Sequence, residues 1–151
     1  MREILFRGQT RKYGEKVRMG DGDKLPGRWV YGGVLQGAGD HSIIYGGENV
    51  DNPSEGLDKW CVHSDTLGQF TGLTDKNCKK IFEGDVIRYT EQTINGSDIP
   101  CVGKVEFSDG GWAVNVWYLS NWLFDSANGN VQLEDIEVIG NIHDNPELLE
   151  V

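Results

Sequence analysis

Turn-forming residues punctuate this chain so closely that no long helix fits between them. The stretch "QFTGLTDKNCKKIFEGDVIRY", residues 69–89, is the densest case. In "QFTGL" the apolar positions are Phe70 and Leu73. "TDKNC" is turn chemistry, because Asp and Asn side chains bond nearby backbone and Asn tolerates positive φ. "KKIF" begins a new strand, "EGD" breaks it, and "VIRY" runs on with Ile87 and Tyr89 on one face. A phosphate cradle would need a Gly-x-x-x-x-Gly-Lys motif or a following helix to offer its N-terminus. Neither is written here, so the stretch reads as strand and turn, with Gly84 and Asn77 as turn residues.

The same grammar covers the rest of the chain. "EILFR", "GRWVYGGVL", "HSIIYGG" and "KWCVHS" read as short strands, with "MGDGDKLPG" and "ENVDNPSEGLD" as loops. In the second strand Trp29, Tyr31 and Leu35 share one parity, and Val30 and Val34 the other. In the fourth, Trp60 and Val62 oppose Cys61 and His63. "TINGSD" carries Asn-Gly, a hairpin signal. "GKVEFSDGGWAVNVWYL" reads as strand, turn at Asp109 and Gly110, and strand again. "SNWLFDSANGN" fits a helical turn or an irregular apolar loop, and "IEVIGNI" a last strand. "DNPELL" opens like a helix, with Asn145 as N-cap and Pro146 first, but leaves room for little more than a turn. The expected fold is mainly β with little helix, and a small barrel is favoured over an open sheet because closure removes edges.

At 151 residues, 21 of them Gly, the chain fits one domain able to bury about two-thirds of its unfolded surface. No apolar run approaches the roughly 20 residues of a membrane span. The start "MREILFRGQ" sets charges inside its apolar run, unlike a signal peptide, so a cytoplasmic protein is expected. Cys61, Cys78 and Cys101 are odd in number and widely spaced, which favours reduced thiols over a disulfide framework. The net charge of −10 is unevenly spread: residues 1–18 hold six Arg/Lys against two acids, and residues 132–151 hold six acids and no Arg/Lys. Nucleic-acid affinity comes largely from displacing phosphate counterions, so most of this surface has the wrong sign for it. The imbalance suits solubility and attraction between the two ends, or a surface that meets a basic partner.

No pattern identifies a reaction. Cys61 and His63 share a strand face, as zinc ligands or a nucleophile and base can, but zinc needs three or four ligands. Side chains two apart on a strand also stand side by side at about 7 Å, beyond hydrogen-bond reach. Glu83 and Asp85, and later Glu134, Asp135 and Glu137, are carboxylate sets that could bind Mg²⁺, yet turns and exposed strands are where acids simply stay solvated. The expectation is no catalytic residue, no metal and no cofactor. Trp112, Trp117, Tyr118, Trp122 and Phe124 fall within thirteen residues, and strand parity separates Trp112 and Tyr118 from Trp117. One set must face a second core layer, a partner or solvent, which makes this segment the candidate interaction surface.

"MREILFRG", "WVYGGVL", "LGQFTGLTDKNCKKIFEGDVIRY", "GKVEFSDGGWAV" and "EVIGNIHDNPELL" occur in the order seen in the YopX family. These are small proteins of phages and prophages, mainly of Gram-positive bacteria. The resemblance covers residue 1 to about residue 149, with insertions near residues 18–27, 46–58 and 90–100, and treats residues 1–151 as a single YopX-like domain. It implies an SH3-type β-barrel or roll with additional N-terminal strands, and it carries over no catalytic residue. Cys78 departs from the family, which usually has Gly there. The loss of that Gly leaves Asn77 to supply the left-handed turn, or changes the turn. The function expected is a non-enzymatic protein-interaction module in host takeover or phage regulation, acting in the host cytoplasm. It would bind a host or phage protein, with no nucleic acid or membrane partner, and the ends and aromatics lean towards a homo-oligomer. Two alternatives stand beside it: an acidic nucleic-acid mimic that inhibits a host DNA-binding protein, and a carboxylate- and Mg²⁺-dependent hydrolase or nuclease.

Overall fold

The computed structural model describes residues 3–10, 29–36, 41–45, 59–92, 95–108, 110–115, 117–118 and 135–150. The chain divides into two compact units, Met1–Phe70 and Thr71–Val151. Strands dominate both; the helical elements among the described residues are short 3-10 turns, including Ser64–Thr66 and Pro146–Leu149. Among the described residues no helix is long and apolar enough to cross a membrane.

The first unit contains β1 (Phe6–Gln9), β2 (Trp29–Leu35), β3 (His41–Tyr45), β4 (Lys59–His63) and the start of β5 (Gly68–Thr74). They form an antiparallel sheet in the order β4-β3-β2-β1-β5. Alternation along each strand decides which side is buried. The β-branched parity of β2 faces inward, so Val30 and Val34 join Ile44 and Val62 in the core while Tyr31 stays half-buried. Ile44 is fully buried between its cross-strand neighbours Val34 and Trp60.

The sheet also curls, for a reason visible at one glycine. Gly8 lies on the core side, opposite Val30, and a Cβ there would stand 2.8 Å from Val62 Cγ2. Lacking that carbon, β1 lets Val62 of β4 rest on its backbone. An isolated bridge pairs Thr10 with Val62, both fully buried. One bridge is not a ladder, so among the described residues the curl stops short of a closed barrel.

The second unit holds the rest of β5, which pairs with β6 (Lys80–Phe82), and a second sheet in the order β10-β9-β8-β7-β11. Its strands are β7 (Asp85–Gln92), β8 (Asp98–Ser108), β9 (Gly111–Val114), β10 (Trp117–Tyr118) and β11 (Glu137–Asn141). Ile87 and Tyr89 of β7, Val105 of β8 and Val114 of β9 line one face, where they pack with Ile81 and Ile136. The barrel expected from the sequence is not what this sheet forms. Its terminal strands β10 and β11 do not pair, and it stays an open antiparallel sheet among the described residues. Strand-and-turn grammar specifies neighbours along the chain. It does not specify whether the first and last strands meet, and β10, two residues long, offers little ladder to close with.

Two local expectations are corrected here. Asn145 does not cap the last turn through its side chain; its Oδ1 turns back to accept the Asn141 N–H at 3.4 Å. The left-handed residue of the 75–79 turn is Cys78, at φ 62, and not Asn77. Asp75 is the cause. Its Oδ1 accepts the N–H groups of Asn77 at 2.8 Å and Lys79 at 2.9 Å, which leaves the residue between them to make the reversal.

Candidate functional site

The β8–β9 hairpin carries the exposed aromatic surface. Its register sets Ser108 opposite Gly111 and Phe107 opposite Trp112. Gly110 takes φ +84 in the turn, and Asp109 lies outside the described residues. The Phe107 and Trp112 rings meet edge-on, with centroids 5.0 Å apart and planes at 69°. Such a pair contributes about 0.5–1.5 kcal/mol beyond its area burial. Trp112 packs partly on the core formed by Val105 and Val114, whereas Phe107 is 57% exposed. One ring is thus anchored and the other is offered to solvent.

Of the five aromatics singled out in the sequence, Trp112 is placed in this way. Trp117 and Tyr118 form β10, paired with Val114 and Ala113, but their side chains lie outside the described ones. Trp122 and Phe124 lie outside the described residues. Phe107 was missed because it precedes the aromatic run. The Asp-Gly-Gly turn could have revealed it, since folding the chain there sets Phe107 against Trp112.

A polar ridge crosses the same sheet. Asn115 is left-handed, φ 53, a conformation asparagine enters more easily than most residues. Its side chain lies over Gly103, where a Cβ would stand 2.8 Å from Asn115 Oδ1, and its Nδ2 donates to the Tyr89 hydroxyl. Tyr89 pairs across strands with Cys101, whose Sγ donates to Glu91 Oε2 at 3.4 Å. Burial raises the Tyr89 phenol, with the Asn115 amide opposing it. Burial also raises the Cys101 thiol, and the Glu91 carboxylate that accepts its hydrogen bond raises it further. Cys101 is therefore held as a thiol at neutral pH, the weaker nucleophile.

The carboxylates of the two acidic sets have different surroundings. Asp85 is buried, and its Oδ2 accepts the Phe82 N–H at 2.8 Å. Between it and Glu83, Gly84 sits at φ +85, donating to Val105 O and accepting from Ile142 N–H, both at 2.9 Å. Glu137 pairs with Lys76 at 3.2 Å and Arg88 at 3.6 Å, Asp135 is exposed, and Glu134 lies outside the described residues. Cys61 is buried opposite Ile43, and His63 lies opposite His41. Among the described residues no three His, Cys, Asp or Glu side chains gather as a metal site.

A sequence model of a known family, described as YopX protein, matches residues 28–150. The chain belongs to the YopX family. It is 39% identical over 99 residues to the SPbeta prophage-derived uncharacterized protein YopX of Bacillus subtilis (strain 168). That alignment covers 59% of this chain and 72% of the relative. The crystal structure of protein EF1440 from Enterococcus faecalis is similar at a TM-score of 0.49 and 22% identity, covering 99% of each chain. Within the YopX-family segment lie the Asp75 turn, the Gly84 turn, the Phe107–Trp112 pair and the Asn141–Asp144 corner. In that corner Asn141 Oδ1 accepts the N–H groups of His143 at 3.0 Å and Asp144 at 2.9 Å.

Proposed function

We propose that this YopX-family protein is a phage or prophage interaction module without enzymatic activity, working in the bacterial cytoplasm on a protein partner in host takeover or phage regulation. The observation that carries the reading is the Phe107–Trp112 pair: an exposed aromatic backed edge-on by an anchored one. Rigid aromatics with few rotatable bonds give up little entropy on binding and dominate many interfaces. The titratable group beside Phe107 in β8, Glu106, pairs with Lys104 at 3.6 Å, which fits a polar rim around an aromatic contact.

The acidic charge supports a second reading, in which the protein occupies a basic nucleic-acid site on a host enzyme. Capture from host lysate with the wild-type chain and with Phe107→Ala separates the two. A stoichiometric partner lost with Phe107→Ala supports the aromatic interface. A partner kept by that variant but displaced by DNA supports the mimic. Light scattering of the protein alone shows whether a second copy of the chain is a partner, as the sequence leans towards.

A further inference from the structure

We propose that Asn95-Gly96, at the tip of the loop joining β7 to β8, is a site of spontaneous covalent modification that converts Asn95 to aspartate and isoaspartate. The chemistry needs three things: an amide side chain free to rotate, a following backbone nitrogen without a bulky neighbour, and a chain loose enough to bring them together. Asn95 and Gly96 are both exposed. Among the described residues nothing lies within 4 Å of where a Cβ on Gly96 would stand, so the following residue brings no side chain and sits in open space. Among the described residues none hydrogen-bonds the Asn95 amide.

Other asparagines show what restraint looks like. Asn115 Nδ2 is tied to Tyr89, and Asn141 donates to Asp144 while accepting from His143 and Asp144. The backbone at Asn95 is also not locked in the mirror-image hairpin turn that Asn-Gly often makes. Gly96 takes φ +77, while Asn95 is not among the left-handed residues.

The step balances without an oxidant or co-reactant other than water. The Gly96 nitrogen attacks Asn95 Cγ, the Cγ–Nδ2 bond breaks, and ammonia leaves with the displaced proton. Water then opens the cyclic imide at either carbonyl, giving aspartate or isoaspartate. Both products add a carboxylate to an already acidic chain. Isoaspartate also inserts a methylene into the backbone beside Gln92 and Asp98, the last pair of the β7–β8 ladder.

The test incubates the full-length protein at mildly alkaline pH beside a synthetic peptide of residues 91–99, followed by digestion and mass spectrometry. The Asn95 peptide from folded protein should gain about one dalton, at a rate within about threefold of the free peptide, as expected for an unrestrained loop tip. The product should resolve into two isomers, and Asn95→Ala should abolish the gain in that peptide. The proposal fails if folded protein keeps Asn95 intact while the free peptide converts. It fails equally if neither converts, or if the protein's gain maps only to Asn128 in the second Asn-Gly pair.

Discussion

The carboxylate of Asp75 accepts the backbone N–H of Val138 at 3.0 Å, joining the turn after β5 to an outward-facing group of β11. Beside it the Lys76 N–H donates to the Ile136 carbonyl at 2.9 Å. These bonds take the outward N–H of Val138 in β11 and the carbonyl of Ile136 just before it. Edge groups already bonded are unavailable to another strand, so the turn covers the start of this edge of an open sheet.

Asp75 is 6% exposed and accepts three backbone N–H groups, from Asn77, Lys79 and Val138. Asp75→Ala leaves these donors without their acceptor and should destabilise the protein by about 2–4 kcal/mol, measured by urea unfolding at neutral pH. Asp75→Asn should recover only part of this, because its amide nitrogen cannot accept. An unfolding midpoint unchanged in both variants would remove the proposed cover.

The same carboxylate sets an acid limb. Burial pushes its pKa up, but the N–H donors of Val138, Lys79 and Asn77 and the charge of Lys79 together hold it below the ordinary value. The folded state therefore binds the proton less readily than the unfolded chain. The stabilisation is complete above the unfolded carboxylate value of about 4 and is lost as pH falls through the lower folded value. Unfolding midpoints measured from neutral to strongly acidic pH should fall more steeply for the wild type than for Asp75→Asn. Parallel curves would show that Asp75 does not contribute.

Gly8 tests the curl of the first sheet. A Cβ there would meet Val62 Cγ2 at 2.8 Å and Val62 Cβ at 3.0 Å, both atoms of a stiff β-branched side chain. Gly8→Ala should cost about 1–3 kcal/mol by overpacking. In the Val62→Ala background the same change should cost much less, because the clashing methyl groups are gone. Strictly additive effects would mean the two strands do not press together there.

Cys78 offers a change in the opposite direction. Left-handed backbone costs a residue with a Cβ about 1–2 kcal/mol, and Cys78 sits at φ 62. Cys78→Gly relieves that strain but loosens the unfolded chain, so a net stabilisation of up to about 1 kcal/mol is expected. Calorimetric melting of the variant checks it, and a lower melting temperature would contradict it.

These cases show what the sequence makes legible. Period-two alternation placed Ile87 and Tyr89 on one face, and Val62 opposite Cys61, because a strand allows no other arrangement. The Asp-Gly-Gly hairpin was legible because its turn chemistry is local. The reversal at Cys78 was not, since it depends on which N–H groups the Asp75 carboxylate captures. The Asn115–Tyr89–Cys101–Glu91 ridge was hidden for a similar reason: its members come from β7, β8 and the turn after β9, and meet only once register is set. Nothing in the sequence marks Gly103, whose lack of a side chain makes room for Asn115.

Phe107 and Trp112 should separate stability from binding. Phe107 is mostly exposed, so Phe107→Ala should cost at most about 1 kcal/mol, while the partly buried Trp112 should cost about 1–3 kcal/mol when cut to Ala. The edge-on contact should show as a coupling of about 0.5–1.5 kcal/mol in the double-mutant cycle, provided each single variant stays folded. If the hairpin is an interface, Phe107→Ala should weaken partner capture far more than it lowers stability, because its ring is the one left for a partner to cover. Trp112→Ala should weaken both, since it removes the support that holds Phe107 in place. Capture that follows stability alone across the two variants would mean that the pair serves the fold, and the interface would have to be sought on another face.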